Sequence, residues 1–180
     1  LTGLTALPVL LVRLQDAVRR ARRTDNTCAL VLVELSNHSE IAAAEGRLMG
    51  DRALVVAASQ LSAVVREVDT VCRVSDTRFA LLIEAPFRSE KLAAMAQHII
   101  AKGLAGAAPV PLHLSPRFRV VTMALPDRSG AIPVEEETHV EKLLQRLHSA
   151  LDRMDPKKVV LHLPLPAPGV AQVLKPAATA

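Results

Sequence analysis

The chain has 180 residues, half of them hydrophobic, and 22 lysines and arginines against 18 aspartates and glutamates give a net charge of +4. This length fits one domain of ordinary size, and so mild a charge does not identify a polyanionic partner. Only 2% of the residues are aromatic, with no tryptophan or tyrosine, so modules that bind nucleic acid by stacking bases on aromatic side chains are excluded.

Hydrophobic periodicity predicts helices and strands along most of the chain. An amphipathic helix with a basic face runs from Leu7 to Arg23, and the apolar run from Cys28 to Leu35 is typical of a buried strand. A helix starts near Ser39, and a second one runs from Asp51 to Val68. Strands follow at 70–74 and 78–84, then a helix at 89–102, a strand at 117–125, a helix at 139–154 and a strand at 159–163.

The order of these elements predicts an α+β fold. A β-α-α-β-β-α-β core of this kind is ferredoxin-like, with a mostly antiparallel sheet flanked by helices. Loops are expected at 103–116 and 126–133, and Glu135 to Glu137 are expected to be a solvated helix start. Because proline, alanine and glycine dominate after Pro164, we expect a domain at 1–163 and a disordered tail at 164–180.

The cysteines and histidines favour neither a disulfide nor a metal site. Cys28 and Cys72 lie in apolar runs, which predicts buried thiols in a reducing compartment. The six histidines lack metal-ligand spacing, so no metal is expected. No uncharged apolar stretch is long enough to span a membrane. We expect a cytoplasmic location, either alone or as the cytoplasmic part of a larger membrane-associated protein.

Several segments occur in the order and spacing of one known family. They are Leu1 to Leu4 (LTGL), Ala29 to Leu35 (ALVLVEL), Gly46 with Gly50 to Leu54 (GDRAL), Val68 to Val74, Phe79 to Ile83 and the final helix from Leu143 to Lys157. On these residues the chain resembles the GGDEF (diguanylate cyclase) domain from Leu1 to Leu163. The resemblance implies a nucleotidyl-cyclase-type sheet and a bacterial signalling protein that uses the second messenger cyclic di-GMP.

The signature turn of that family has a different sequence here. The positions expected to read G-G-(D/E)-E-F read Ser75-Asp76-Thr77-Arg78-Phe79. In active members the resemblance implies a turn that admits GTP phosphates and acidic residues that help to bind metal, so Arg78 places a cation where an acid is expected. We therefore expect a degenerate domain that is not an enzyme and carries no catalytic residues or cofactor.

Other catalytic positions of the family are partly changed. The first-strand carboxylate falls on Glu34, and the second acid of that strand is replaced by Ser36. The guanine-recognising asparagine falls on Ala42, while its partner aspartate is retained as Asp51. Loss of the amide leaves part of a guanine edge unpaired, which costs affinity in a buried site. For Glu34 and Asp51 we favour plain structural roles.

A second site of the family, an inhibitory one, matches better. It is built on an R-x-x-D motif five residues before the signature, and Arg66 and Asp69 stand in that register. Arginine can pair with a guanine O6/N7 edge or a phosphate, and aspartate can accept guanine N–H groups. The predicted helix places both side chains on one face at i,i+3 spacing. Further arginines of such a site are sought at Arg73, Arg22 and Arg23, since the family's third-helix arginine falls near His98.

The bare motif is weak evidence, and a second function stays open. R-x-x-D also occurs at 13–16, 22–25 and 73–76, and the same pair could be an exposed ion pair of little energetic value. The favoured function is a receptor for cyclic di-GMP that relays ligand level to a regulatory protein partner or an attached sensor or effector domain. The alternative is a ligand-free module for dimerisation or protein interaction. Neither function involves nucleic acid.

Overall fold

The structure is a computed structural model that describes residues 3–84, 88, 90–104 and 115–164. Its helices are α1 Leu7–Arg23, α2 His38–Glu45, α3 Arg47–Val64, α4 Glu90–Leu104, α5 Val134–Glu137 and α6 Val140–Arg153. Its strands are β1 Cys28–Leu35, β2 Thr70–Arg73, β3 Arg78–Ile83, β4 Phe118–Leu125 and β5 Val160–Leu163. Except for the short α5, each of these elements was predicted from the sequence.

The strands form one sheet in the order β2-β3-β1-β4-β5. β1 lies at its centre and pairs antiparallel with β3 and β4, β2 pairs antiparallel with β3, and β5 pairs parallel with β4. The α+β fold with a mostly antiparallel sheet between helices is therefore confirmed. The sheet places the end of β3 beside the start of β2, where the R-x-x-D motif lies.

Helices cover both faces of the sheet, which explains the continuous apolar sequence of β1. Alternate side chains of a strand point to opposite faces. Leu30 and Leu32 pack in one core with α1 and α6, whereas Val31 and Val33 pack in another with α3 and α4. The predicted buried thiols are also present: Cys28 and Cys72 are free and buried, and burial raises the pKa of Cys28 to about 12.

The second helix differs from the prediction at both ends. α3 spans Arg47–Val64 rather than 51–68. Gly46, at a φ of +88°, separates α2 from α3, so that α3 begins about one turn before Asp51, and α3 ends at Val64 because Val65 adopts an extended conformation. Gly50 lies inside α3, where a Cβ atom would come within 3.0 Å of the Cβ of Ala42 on α2. The motif from Arg66 to Asp69 therefore follows the helix in a turn, and the prediction that both side chains share one helical face is wrong.

The acidic run before α6 also differs from the prediction. Glu137 closes α5, and its side chain is only 2% exposed. It accepts hydrogen bonds from the guanidinium of Arg22 and from the backbone N–H of Asp127. The expectation of a solvated run is wrong for Glu137, because these donors compensate its burial.

Some predictions fall outside the described residues. Most of the expected loop at 103–116 does so, as does the expected tail from residue 165 onward, and the boundary between domain and tail stays a prediction. Among the helices of the described segments, none has the length and apolarity to cross a membrane.

Candidate functional site

The R-x-x-D motif forms a closed turn between α3 and β2. The guanidinium of Arg66 donates two bonds to the carboxylate of Asp69, at 2.9 Å from Nη2 to Oδ1 and 3.1 Å from Nε to Oδ2. The backbone N–H of Arg66 also donates to Oδ2 at 2.9 Å. The hydrogen bond to Asp69 raises the pKa of Arg66 above its already high ordinary value. The turn therefore fixes the orientation of the Arg66 guanidinium.

The end of β3 completes this hydrogen-bond network. The backbone N–H of Glu84 donates to Oδ1 of Asp69 at 2.9 Å, and Nη2 of Arg66 donates to the carbonyl oxygen of Glu84. The Asp69 side chain is fully buried, whereas the Arg66 side chain is 48% exposed. Asp69 thus serves as an internal support, and Arg66 is the member of the pair that faces solvent.

Arg66 opens onto a groove of about 840 Å³ between the end of α3, the end of β3 and α4. Its lining includes Asp69 and, besides Arg66, the basic residues Arg88, Lys91 and His98. Sequence reasoning placed His98 near this site but missed Arg88 and Lys91. Both flank the start of α4, and helical periodicity would have placed Lys91 on the same side as Met95 and His98. The groove is therefore lined by basic side chains around a fixed arginine.

The other arginines proposed for this site lie elsewhere in the structure. Arg73 lies at the far end of β2, where its guanidinium donates to the carbonyl oxygens of Ser75 and Asp76. Arg22 pairs with Glu137, and Arg23 is an exposed residue at the end of α1. Among the described residues that line the groove, none of these three arginines is present.

Helix α1 contacts the same network from the side. Nη2 of Arg13 donates to the carbonyl oxygen of Val68 at 2.9 Å and lies 3.5 Å from Oε1 of Glu84. Arg20, two turns further along α1, forms an ion pair with the same Glu84 carboxylate. Glu84 therefore links α1 through its side chain to the Arg66–Asp69 turn, which it contacts through its backbone.

A second charged cluster lies where the family's signature residues fall. Arg78 donates from Nε and Nη2 to Oε1 of Glu34, at 3.1 and 3.0 Å, and Arg119 donates to Oε2 at 3.1 Å. Arg78 also pairs with Asp152 on α6 and lies 3.1 Å from Nδ1 of His148. Desolvation opposes the charge of Arg78, but its bonds to Asp152 and Glu34 raise its pKa. The cluster joins the ends of three strands to α6.

This cluster does not fit a metal ion in its present arrangement. Both carboxylate oxygens of Glu34 accept bonds from guanidinium groups. These guanidinium groups carry positive charge and have no lone pair to offer a metal ion. Within residues 3–84, 88, 90–104 and 115–164, no three histidine, cysteine, aspartate or glutamate side chains are placed to hold a metal together. Asp51 lies apart from the cluster as an exposed residue of α3.

Comparison with known proteins identifies the family. The family described as "Diguanylate cyclase, GGDEF domain" matches residues 1–158. The bifunctional diguanylate cyclase/cyclic di-GMP phosphodiesterase MucR of Pseudomonas aeruginosa is 35% identical over 86 residues, which cover 46% of this chain. The match spans only 13% of MucR, so this chain corresponds to a small part of that protein.

Solved structures show the same fold. The GGDEF domain of YfiN (TpbB) from Pseudomonas aeruginosa has a TM-score of 0.69 and 25% identity, over 91% of this chain and 99% of that one. The GGDEF domain of DgcB from Caulobacter crescentus, solved in complex with c-di-GMP, has a TM-score of 0.71 and 15% identity, over 89% and 92% of the two chains. At 15% identity, the second likeness concerns the fold alone.

These findings correct one expectation and establish another. The expectation that the chain is not an enzyme is contradicted, since the matching family is that of the diguanylate cyclases and MucR is itself named as a cyclase. The changed residues at Ser75 to Arg78 do not by themselves show loss of activity. The resemblance seen in the sequence is confirmed over nearly the whole chain: it belongs to the GGDEF domain family.

Proposed function

We propose that this GGDEF domain binds cyclic di-GMP in the groove beside Arg66 and relays its occupancy to an attached domain or a regulatory partner. The observation that carries the proposal is the placement of Arg66. Its guanidinium is held by Asp69 and the Glu84 carbonyl, yet is half exposed toward a groove that Arg88 and Lys91 also line. A preorganised cation loses little conformational entropy when it binds a ligand.

The chemistry of the groove suits the proposed ligand. Cyclic di-GMP carries two phosphates and two guanines, and a guanidinium can give paired hydrogen bonds to either group. Arg88 and Lys91 add positive charge for the phosphates. The groove volume, about 840 Å³, is within the range of small-molecule sites. Because chain donors already occupy both Asp69 oxygens, we assign Asp69 the positioning of Arg66 rather than contact with guanine.

The relatives support the ligand class. MucR is named for both the synthesis and the hydrolysis chemistry of cyclic di-GMP, and the DgcB domain was solved in complex with it. The relay would pass through Glu84, whose backbone contacts the Arg66–Asp69 turn and whose carboxylate pairs with Arg13 and Arg20 of α1. α1 is therefore the element through which an attached domain or partner would sense the ligand.

One observation favours the alternative, a ligand-free interaction or dimerisation module. The bonds from Arg66 and Glu84 to Asp69 are sufficient to explain the pair as a structural tie between α3, β2 and β3. Under this alternative the groove would bind no cyclic di-GMP, and substitution of Arg66 would change stability alone. Homodimer formation stays a prediction under either function.

Isothermal titration of the full chain with cyclic di-GMP tests the proposal. We expect saturable binding that Arg66→Ala weakens by about tenfold or more, the loss typical of a charge-assisted contact. Lys91→Ala and Arg88→Ala, which lie outside the Asp69 network, should weaken binding without unfolding the chain. Arg52→Ala is the matched control, since this exposed arginine lies about 18 Å from the end of α3 by helical rise. Absence of binding, or equal binding by all four variants and the parent, would overturn the proposal.

A further inference from the structure

A second groove, of about 850 Å³, lies on the other side of the molecule between α6 and β5. We call it the β5–α6 groove, and its lining includes Arg146, Ala150 and Arg153 of α6, Lys158, and Leu161 and Leu163 of β5. The two leucines and Ala150 pack against the edge of the core between the sheet and helices α1 and α6, and they are only partly buried. The groove therefore has an apolar floor that the described residues do not cover.

One wall of this groove is the edge of the sheet. Among the described strands β5 pairs with β4 alone, in parallel register, and the N–H of Val120 donates to the carbonyl oxygen of Val159 at 2.7 Å. In a parallel pair, alternate residues direct both backbone groups to the same neighbour. The backbone groups of Leu161 and Leu163 therefore point to β4, and those of Val160 and His162 point outward. This edge can accept another strand.

The charges around the groove determine what kind of strand fits. Lys142, Arg146, Arg153 and Lys158 contribute four cations to its lining, against the carboxylates of Glu136 and Asp155. Arg146 pairs with Glu136, but within the described segments no ion pair involves Lys142, Arg153 or Lys158. Two copies of this edge would bring like charges together, which disfavours pairing of the chain with itself. An acidic occupant complements the surplus of positive charge.

We propose that the β5–α6 groove is a docking surface for an extended acidic segment of a partner protein, which adds as a strand to β5. Its backbone bonds to Val160 and His162, an aliphatic side chain contacts Leu161 and Leu163, and carboxylates on the same face pair with Arg153 and Lys158. This surface is separate from the groove at Arg66, and the proposal is independent of ligand binding there.

The probe for this surface is a labelled hexapeptide with glutamate, leucine and glutamate on one face of a strand and threonine between them. Binding to the full chain is followed by fluorescence anisotropy. We expect reversal of two groove charges, Arg153→Glu with Lys158→Glu, to weaken binding by about tenfold. The matched control, Arg47→Glu with Arg52→Glu, makes the same charge change at exposed positions of α3 and should leave binding within about twofold. A peptide with lysines in place of the glutamates should not bind.

Backbone pairing has its own readouts. Of two peptides that are N-methylated on alternate amides, one should lose binding and the other keep it, because only alternate residues face the edge of β5. In the free chain the amides of Val160 and His162 should exchange quickly with solvent, and the peptide should protect them. Protection already present in the free chain would mean that another segment or copy occupies the edge, and would overturn the proposal. Equal binding of the acidic and basic peptides, or no binding of either, would overturn it too.

Discussion

Asp69 and Glu84 are joined by a hydrogen bond of 2.9 Å from the backbone N–H of Glu84 to Oδ1 of Asp69. The bond ties the start of β2 to the end of β3, and the Glu84 side chain extends the connection to Arg13 and Arg20 on α1. The buried carboxylate of Asp69 thus holds Arg66, the arginine of the proposed ligand site. Glu84 connects that site to α1.

Asp69→Asn should destabilise the fold. The amide keeps the shape of the carboxylate but turns one acceptor into a donor that faces Arg66, and a buried donor left unpaired costs about 1–3 kcal/mol of unfolding free energy. Urea denaturation measures this loss. Asp76→Asn is the control, because Asp76 is the exposed aspartate of another R-x-x-D motif. If both variants lose the same stability, Asp69 is not the support that the structure indicates.

Cyclic di-GMP should slow amide hydrogen exchange in α1 as well as around the groove. The contacts of Arg13 with Val68 and Glu84 carry this effect. Because Arg20 also pairs with Glu84, Arg13→Ala should reduce the protection in α1, and Arg13→Ala with Arg20→Ala should remove it. The affinity for the ligand should stay within about fivefold in Arg13→Ala, since partly exposed ion pairs contribute less than about 1 kcal/mol. Arg19→Ala, an exposed neighbour on α1, should leave the protection unchanged. Protection of α1 that survives in the double variant would mean that another path carries the effect.

Arg78 and Glu34 should show strong energetic coupling. Arg78→Met leaves Glu34 with Arg119 as its partner and takes from Asp152 its bond to Arg78. We expect the free energy of unfolding to fall by about 2–4 kcal/mol, because the side chains of Arg78 and Glu34 are both largely buried. Adding Glu34→Gln should recover about 1–2 kcal/mol of that loss. A double-mutant cycle by chemical denaturation measures the coupling. Strictly additive effects would show that the two side chains do not interact in solution.

Acidification should weaken the fold through His148. Burial and the neighbouring Arg78 lower the pKa of His148 below its ordinary 6.5, although Asp152 opposes them. Because the folded-state value lies below the unfolded one, the unfolded chain binds more protons between the two values. The free energy of unfolding should therefore fall as the pH drops below 6.5.

Urea titrations between pH 7.5 and about pH 5 would measure this slope. His148→Gln should reduce the slope of unfolding free energy against pH. Part of the remaining slope comes from His162, whose pKa is also lowered by burial. Gln145→Ala changes an exposed, non-titrating residue of α6 and is the control, which should leave the slope as in the parent. An unchanged slope in His148→Gln would contradict the assignment.

Glu137→Gln should cost about 1–3 kcal/mol, whereas Glu135→Gln should be nearly neutral. The reason is that Glu137 is buried between Arg22 and the Asp127 N–H, while Glu135 is exposed. Thermal denaturation of the two variants gives a direct comparison, because they make the same chemical change two residues apart. Equal melting temperatures would show that the bonds of Glu137 to Arg22 and to the Asp127 N–H do not stabilise the fold.

The sequence by itself determined the family and, apart from the short α5, which helices and strands form. The continuous apolar run of β1 and the periodicity of α1 follow from local side-chain patterns, and the predicted bounds of both agree with the structure. The end of α3 was misplaced because apolar residues continue at helical spacing through Val65 and Val68, although the backbone leaves the helix after Val64. Hydrophobic periodicity reports which residues can be buried, and an element boundary also depends on the backbone turn that follows.

Only the tertiary structure decided which charged residues meet. Arg66 and Asp69 were predicted as a pair because they stand in the register of the family's inhibitory motif. The structure adds Glu84, which bonds to both from the end of β3, and it places Arg88 and Lys91 in the lining of the same groove. Likewise, Arg22 was sought at the ligand site and pairs instead with Glu137, 115 residues away. A side chain's type fixes which partners it can accept, whereas the packing of helices on the sheet fixes which partners lie within hydrogen-bond distance. For this reason the motif could be read from the sequence, but the composition of its groove could not.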